Sequence, residues 1–142
     1  MDPGPMDPIE ERNAAIVQRL VRAFDDGSVP MIVLEVLSPH VVGHDLTGLL
    51  SDRDHPDSGQ FTDVLGAAAV ALGDARIDLR SIIAHHDEVD VRVAISGVTV
   101  EPFLGHATGA SVAVEADLTY RLDTNGLVVE LWQHALAGFG RP

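Results

Sequence analysis

The chain has 142 residues with no cysteine and no lysine, so its nine positive side chains are all arginines, set against 22 acids for a net charge of −13. These absences exclude thiolate nucleophiles, disulfide frameworks, cysteine-ligated metal centres, Schiff-base and pyridoxal chemistry and a P-loop lysine. The negative field disfavours nucleic acid and anionic membrane surfaces as partners, and a hydrophobic fraction of 46% suits one globular domain with a single core.

Residues 1–6 read as a flexible leader, without the positive and apolar regions of a signal peptide. No apolar run approaches bilayer length, so a cytoplasmic protein is expected. The domain proper then spans 7–142. Asp7-Pro8-Ile9-Glu10 has the form of a helix start: an acidic cap, proline at the first helical position and a glutamate able to reach back. Ile9, Ile16, Val17, Leu20, Val21 and Phe24 recur at helical spacing and predict a first helix that stops at Asp26-Gly27. A second helix is expected over Pro30 to Leu37 and a short strand over His40 to His44. The polar, turn-rich stretch from Asp45 to Gly59 reads as a surface loop of lid length. Phe61, Val64, Leu65, Ala68 and Leu72 mark a third helix ending at Gly73.

The period then changes to two. Arg76 to Arg80, Asp90 to Ile95 and Val112 to Leu122 alternate polar and apolar residues, and Leu127 to Leu136 forms a last strand. Hairpin turns are expected at His85 to Glu88 and Asp123 to Gly126, with a longer connection from Gly97 to Ser111. Helices followed by a strand meander argue α+β, a curved antiparallel sheet with its apolar face covered by three helices.

Several stretches, taken in order, carry a family likeness. They are the opening helix with Asp26-Gly27-Ser28, Ser38-Pro39-His40-Val41-Val42-Gly43-His44-Asp45, Glu88 to Val93, Pro102-Phe103-Leu104-Gly105-His106-Ala107-Thr108-Gly109, and Tyr120-Arg121 through Gly126 to Trp132. The set resembles the SnoaL-like polyketide cyclase family within the nuclear transport factor two-like (α+β cone) superfamily. The resemblance implies a cone enclosing a deep, mostly apolar pocket, commonly in a homodimer. It also implies a reaction drawn from cyclisation, epoxide opening or isomerisation, or ligand binding alone.

Family cyclases commonly end the last strand with a Glu-His-Trp-Asp-like word whose histidine and aspartate share the pocket face. Here the word is Glu130-Leu131-Trp132-Gln133. An amide is no general base and leucine carries no proton, so Gln133 is left to orient or polarise a carbonyl. If Leu131 and Gln133 face inward, strand parity sends Val129, Ala135, Val91, Val93, Ile95, Val112, Val114, Ala116, Leu118 and Tyr120 inward as well. Asp90, Arg92, Glu115, Asp117, Arg121, Glu130, Trp132 and His134 then face out. Tyr120 is either a second pocket donor or a large core residue with a backbone partner.

His44-Asp45 sits where the family often has a His-Asp pair at the pocket mouth, and a histidine there suits proton transfer. The opposing reading is that neighbours on a strand point opposite ways and Asp45 merely begins the loop. His40 and His44 lie four apart, but metal-binding pairs of that spacing need a helix, so no metal is expected. Leu65, Phe61, Phe103 and His106 complete the expected substrate-binding set with Leu131, Leu118, Val93 and Ile95.

These residues predict a cofactor-independent cyclase that closes a ring on an apolar polyketide-derived intermediate. Gln133 and Tyr120 would serve as donors and His44 as an orienting or proton-transfer group. Two alternatives stand beside it: an epoxide-opening or pyran-forming enzyme with Asp45 as the inward carboxylate, and a non-catalytic ligand-binding module.

Overall fold

The computed structural model describes residues 7–26, 35–46, 64–103 and 105–141. The elements are α1 (Pro8–Asp26), β1 (Leu37–Asp45), α2 (Val64–Ala71), β2 (Leu72–His85), β3 (Glu88–Thr99), β4 (Ser111–Leu122) and β5 (Val128–Arg141). The five strands form one curved, unclosed sheet in the order β1-β5-β4-β3-β2. β2 to β5 make an antiparallel meander. β1 runs parallel to β5, so the sheet is mixed rather than wholly antiparallel as expected.

The start of α1 is a reciprocal capping box. The Glu10 N–H donates to Asp7 Oδ1 at 2.8 Å and the Asp7 N–H donates to Glu10 Oε1 at 3.1 Å, satisfying two amides that the helix itself cannot. The second oxygen of Glu10 accepts the His86 N–H at 3.0 Å, joining α1 to the β2–β3 turn. Backbone donation from His86, and next from Asp7, holds the Glu10 carboxyl below its ordinary value of 4.5.

One turn on, Arg12 donates to the Thr124 and Asp123 carbonyls at 2.9 and 3.1 Å and to Asn13 Oδ1. The fully buried Asn13 donates to the His86 carbonyl. Both hairpin ends are thereby tied to the helix. In the β4–β5 turn, Asp123 Oδ1 accepts from Asn125 and Leu127, and Gly126 closes the turn at φ +81°. A Cβ at Gly126 would also stand 3.0 Å from Ile16 Cδ1, so glycine meets both the conformational and the packing demand.

The core lies between the inner sheet face and the helices. Val17, Leu20 and Val21 of α1 and Val64, Leu65 and Ala68 of α2 are buried, as are Val89, Val91, Val93 and Ile95 of β3 and Val112, Val114, Ala116, Leu118, Tyr120 and Leu122 of β4. The alternation expected of β3 and β4 is thus the burial pattern observed, except that Thr119, between Leu118 and Tyr120, is buried as well.

Other expectations shift. α2 ends at Ala71, and Leu72-Gly73 already belong to β2. β1 starts at Leu37, where the second expected helix was to end. Of that helix only Glu35 and Val36 precede β1 within the described residues, and both are helical. The leader, the rest of that helix and nearly all of the expected lid lie outside the described residues. No helix among the described residues is long and apolar enough to cross a membrane.

The buried Asn13 amide gives a direct test. Asn13→Ala removes the donor to the His86 carbonyl and an acceptor of Arg12, and should cost about 2 kcal/mol of unfolding free energy. Urea denaturation should show a lower midpoint with an unchanged slope.

Candidate functional site

Two bulges in β5 decide which of its side chains reach the inner face. The register passes from Leu122↔Val128 to Arg121↔Glu130, leaving Val129 unmatched, and from Leu118↔Gln133 to Asp117↔Ala135, leaving His134 unmatched. Each extra residue resets the period-two alternation. Val128 is therefore fully buried where Val129 was expected, and Val129 is half-buried. Ala135 pairs in register with Asp117. Between the bulges the expected parity is observed, with Leu131 at 0% and Gln133 at 2% exposure, and Glu130 and Trp132 on the other face.

Gln133 bonds to the start of α2. Its Oε1 accepts the Val64 N–H at 2.8 Å. A backbone amide can only donate, so the atom facing it must be the oxygen, and this fixes the orientation of the whole side-chain amide. The other half of the amide, Nε2, is its donor side. Tyr120, in register with Leu131, is fully buried on the same face with its hydroxyl, and Leu118 is Gln133's partner across the ladder. Leu131, Leu118, Val93, Ile95 and Leu65 are all buried and give this region an aliphatic wall.

On β1, Asp45 is the register neighbour of Gln133, and the Leu46 N–H donates to the Gln133 carbonyl at 3.0 Å. Phe103 is buried; it exchanges backbone bonds with half-exposed His106 in a tight loop, at 3.0 and 2.9 Å. Phe61 lies outside the described residues.

His44 corrects the expectation of a pocket-lining histidine. It pairs in register with outward-facing Trp132, and its ring stacks on the indole with centroids 5.4 Å apart and planes 15° from parallel. Its Nε2 lies 2.7 Å from Glu130 Oε2, and since an ionised carboxylate only accepts, that nitrogen carries the proton. Arg121 donates to the other Glu130 oxygen from Nε at 3.0 Å and Nη2 at 2.9 Å. Partial burial raises the Glu130 pKa, but the hydrogen bonds from His44 and Arg121 outweigh it and leave the carboxyl below 4.5.

A second outer-face group links Asp90, Thr119 and His134. Thr119 Oγ1 lies 2.6 Å from Asp90 Oδ1 and 2.7 Å from His134 Nε2. The hydroxyl donates to the carboxylate, so His134 donates to the hydroxyl. Arg92 and Asp117 make a two-point pair beside them, at 2.7 and 3.1 Å. Sequence parity placed most of these groups on the outer face. The one it missed was His44, because the pairing of β1 with β5 is a relation between distant segments. Grooves of about 660 and 350 Å³ also lie along the sheet. The larger is lined by Arg76, Asp78, Arg80 and Glu115 together with Ile77, Ile95 and Val114. The smaller is lined by Asp90, Arg92, Asp117 and His134 together with Val91 and Leu118, and neither is lined by Gln133 or Tyr120. Among the described residues, no group of three or more His, Asp or Glu side chains could hold a metal ion.

The sequence matches the model of the SnoaL-like domain over residues 17–131. The chain belongs to the SnoaL-like domain family. No curated protein matches it. Among solved structures, a candidate SnoaL-like polyketide cyclase from Jannaschia sp. CCS1 superposes with a TM-score of 0.76 at 18% identity, covering 96% of this chain and 90% of that one. A candidate hydroxylase from Streptomyces galilaeus gives 0.69 at 21% identity, covering 93% and 90%. An epoxide hydrolase of the LEH-like type from M. tuberculosis gives 0.66 at 12% identity, covering 89% and 84%. These likenesses establish the nuclear transport factor two-like fold of this SnoaL-like domain.

The lowered Glu130 pKa has a definite sign in stability. A carboxyl whose folded pKa lies below its unfolded one stabilises the fold above the unfolded value, and that contribution disappears as pH falls through the folded value. The melting temperature of the wild type should therefore decline below about pH 4.5, and Glu130→Gln should flatten that part of the profile.

Proposed function

We propose that this SnoaL-like domain is a cofactor-independent cyclase that closes a ring on an apolar, polyketide-derived intermediate. The observation that carries the reading is Gln133. Its amide orientation is fixed by the Val64 N–H, and it is buried on the sheet face that also carries buried Leu131 and its register partner Leu118. A donor locked in place within an aliphatic surrounding suits a carbonyl on which negative charge grows during bond formation. Such a donor accelerates a conjugate addition by stabilising the enolate oxygen. A pericyclic closure needs less, since its electrons move within the substrate and no proton is transferred. Tyr120, buried on the same face, is the second donor in this reading. Family membership and the polyketide cyclase among the structural neighbours support the assignment.

A second reading has an observation of its own. Asp45 stands in register with Gln133, which suits a carboxylate that activates water or a hydroxyl for epoxide opening or pyran formation. The epoxide hydrolase neighbour supports it. A binding module without chemistry is the third reading, and the same variants address it.

Gln133→Glu keeps an oxygen for the Val64 N–H but, at alkaline pH where the carboxyl is ionised, removes the donor. On the cyclase reading kcat falls roughly 100-fold, while Asp45→Asn stays within about threefold. The reverse pattern selects ring opening. Retained turnover in both variants, with apolar compounds still bound, would sink both enzymatic readings of this site. The homodimer implied by the family is tested separately: sedimentation at micromolar concentration should give twice the monomer mass.

A further inference from the structure

β1 is held to the sheet by a short ladder. After Leu37↔Val128 the register breaks, and pairing resumes only from Val42↔Glu130 to Asp45↔Gln133. A short parallel ladder at a sheet edge is weak by itself, and a one-residue slip would exchange the faces of every side chain on it. Yet its last pair is the one that brings Asp45 beside Gln133.

Directly behind that pair, on the outer face, the end of β1 carries a second attachment. We propose that His44 is a positioning residue: stacked on Trp132 and hydrogen-bonded to Glu130, it clamps β1 in the register that sets Asp45 beside Gln133. The functional consequence rests on the reading of Gln133 as the donor of the site; the clamp itself rests on geometry alone.

Three features distinguish this group from an ordinary surface ion pair, which contributes little. The His44 and Glu130 side chains are only 23% and 24% exposed, so water screens their contact less. Glu130 spans its two oxygens between His44 on β1 and Arg121 on β4, tying three strands through one carboxylate. The stack on Trp132 adds an orientational constraint, because the ring is parallel to the indole to within 15° and cannot tilt without losing contact. A slip of β1 by one residue would break both contacts at once and turn the position of His44 toward the core.

Amide hydrogen exchange on the full chain tests the clamp without a substrate. The reporter is the Leu46 N–H, which donates to the Gln133 carbonyl just past the clamp. In His44→Ala its exchange should accelerate about tenfold or more while amides of the β3–β4 ladder keep their protection. His44→Gln, which retains an N–H able to reach Glu130, should restore part of that protection. The single tryptophan of the chain gives an independent signal, since its emission should change when the stacked ring is removed. Glu130→Gln serves as the milder variant should His44→Ala fold poorly, and it should shift the same amide in the same direction. Unchanged Leu46 protection in both His44→Ala and Glu130→Gln overturns the clamp, whatever turnover does. Faster Leu46 exchange with turnover intact upholds the clamp and counts against the Gln133 site.

Discussion

The hydrogen bond from the Val64 N–H to Gln133 Oε1 joins α2 to the sheet at a polar point of an otherwise aliphatic inner face. It satisfies an amide at the start of α2 that the helix cannot satisfy itself. The same bond commits the acceptor half of Gln133 and thereby aims the donor half. A residue that sequence reading treats only as a catalytic donor is therefore also a helix anchor. Position 133 is constrained from both sides, because an aliphatic side chain would leave Val64 unpaired and a shorter amide would not span from β5 to α2.

The two faces of the sheet divide the chemistry of the chain. Outward positions collect Arg92 with Asp117, Asp90 with Thr119 and His134, and Arg121 with Glu130 and His44. Inward positions on β3 and β4 are valine, isoleucine, alanine, leucine and Tyr120. The β5 bulges at Val129 and His134 bracket the segment that carries Leu131 and Gln133 inward, and bulges recur beside active sites because they re-aim side chains. His44, which sequence reading assigns to proton transfer at the pocket mouth, instead donates a hydrogen bond to Glu130 on the outer face.

How much of this was legible in the sequence follows the range of the interactions involved. The α1 cap was readable because Asp7, Pro8 and Glu10 act within one turn. The burial of β3 and β4 was readable because alternation is a local pattern that no bulge interrupts between Val112 and Tyr120. The inward Gln133 followed from the same parity. The face presented by His44 was not readable, since it depends on a parallel pairing between segments some ninety residues apart. The bulges escaped as well, because neither Val129 nor His134 is a glycine or sits beside a proline. The end of α2 at Ala71 escaped for a different reason: the run Ala67-Ala68-Ala69-Val70-Ala71-Leu72 contains no stop signal, and pairing of β2 with β3 takes over at Leu72.

The composition of the inner wall bears on which effect dominates a ring closure. For a substrate that reacts with itself the translational term is already absent, so the wall acts by freezing internal rotations, each worth on the order of 1 kcal/mol by analogy with immobilised side chains. One preorganised donor contributes about 3 kcal/mol when charge develops on the oxygen it faces. Three or four frozen bonds therefore match one Gln133, and a longer chain would exceed it. Shape then outweighs polarisation, and this favours walls that do not yield. Val91, Val93, Ile95, Val112 and Val114 are β-branched and stiff at χ1, each fully or almost fully buried on a paired strand. On the proposed cyclase reading, a chain without lysine or cysteine, with leucine and glutamine where the family resemblance leads one to expect an ionisable pair, is left with these two means of catalysis, and its valine-rich sheet suits the larger of them.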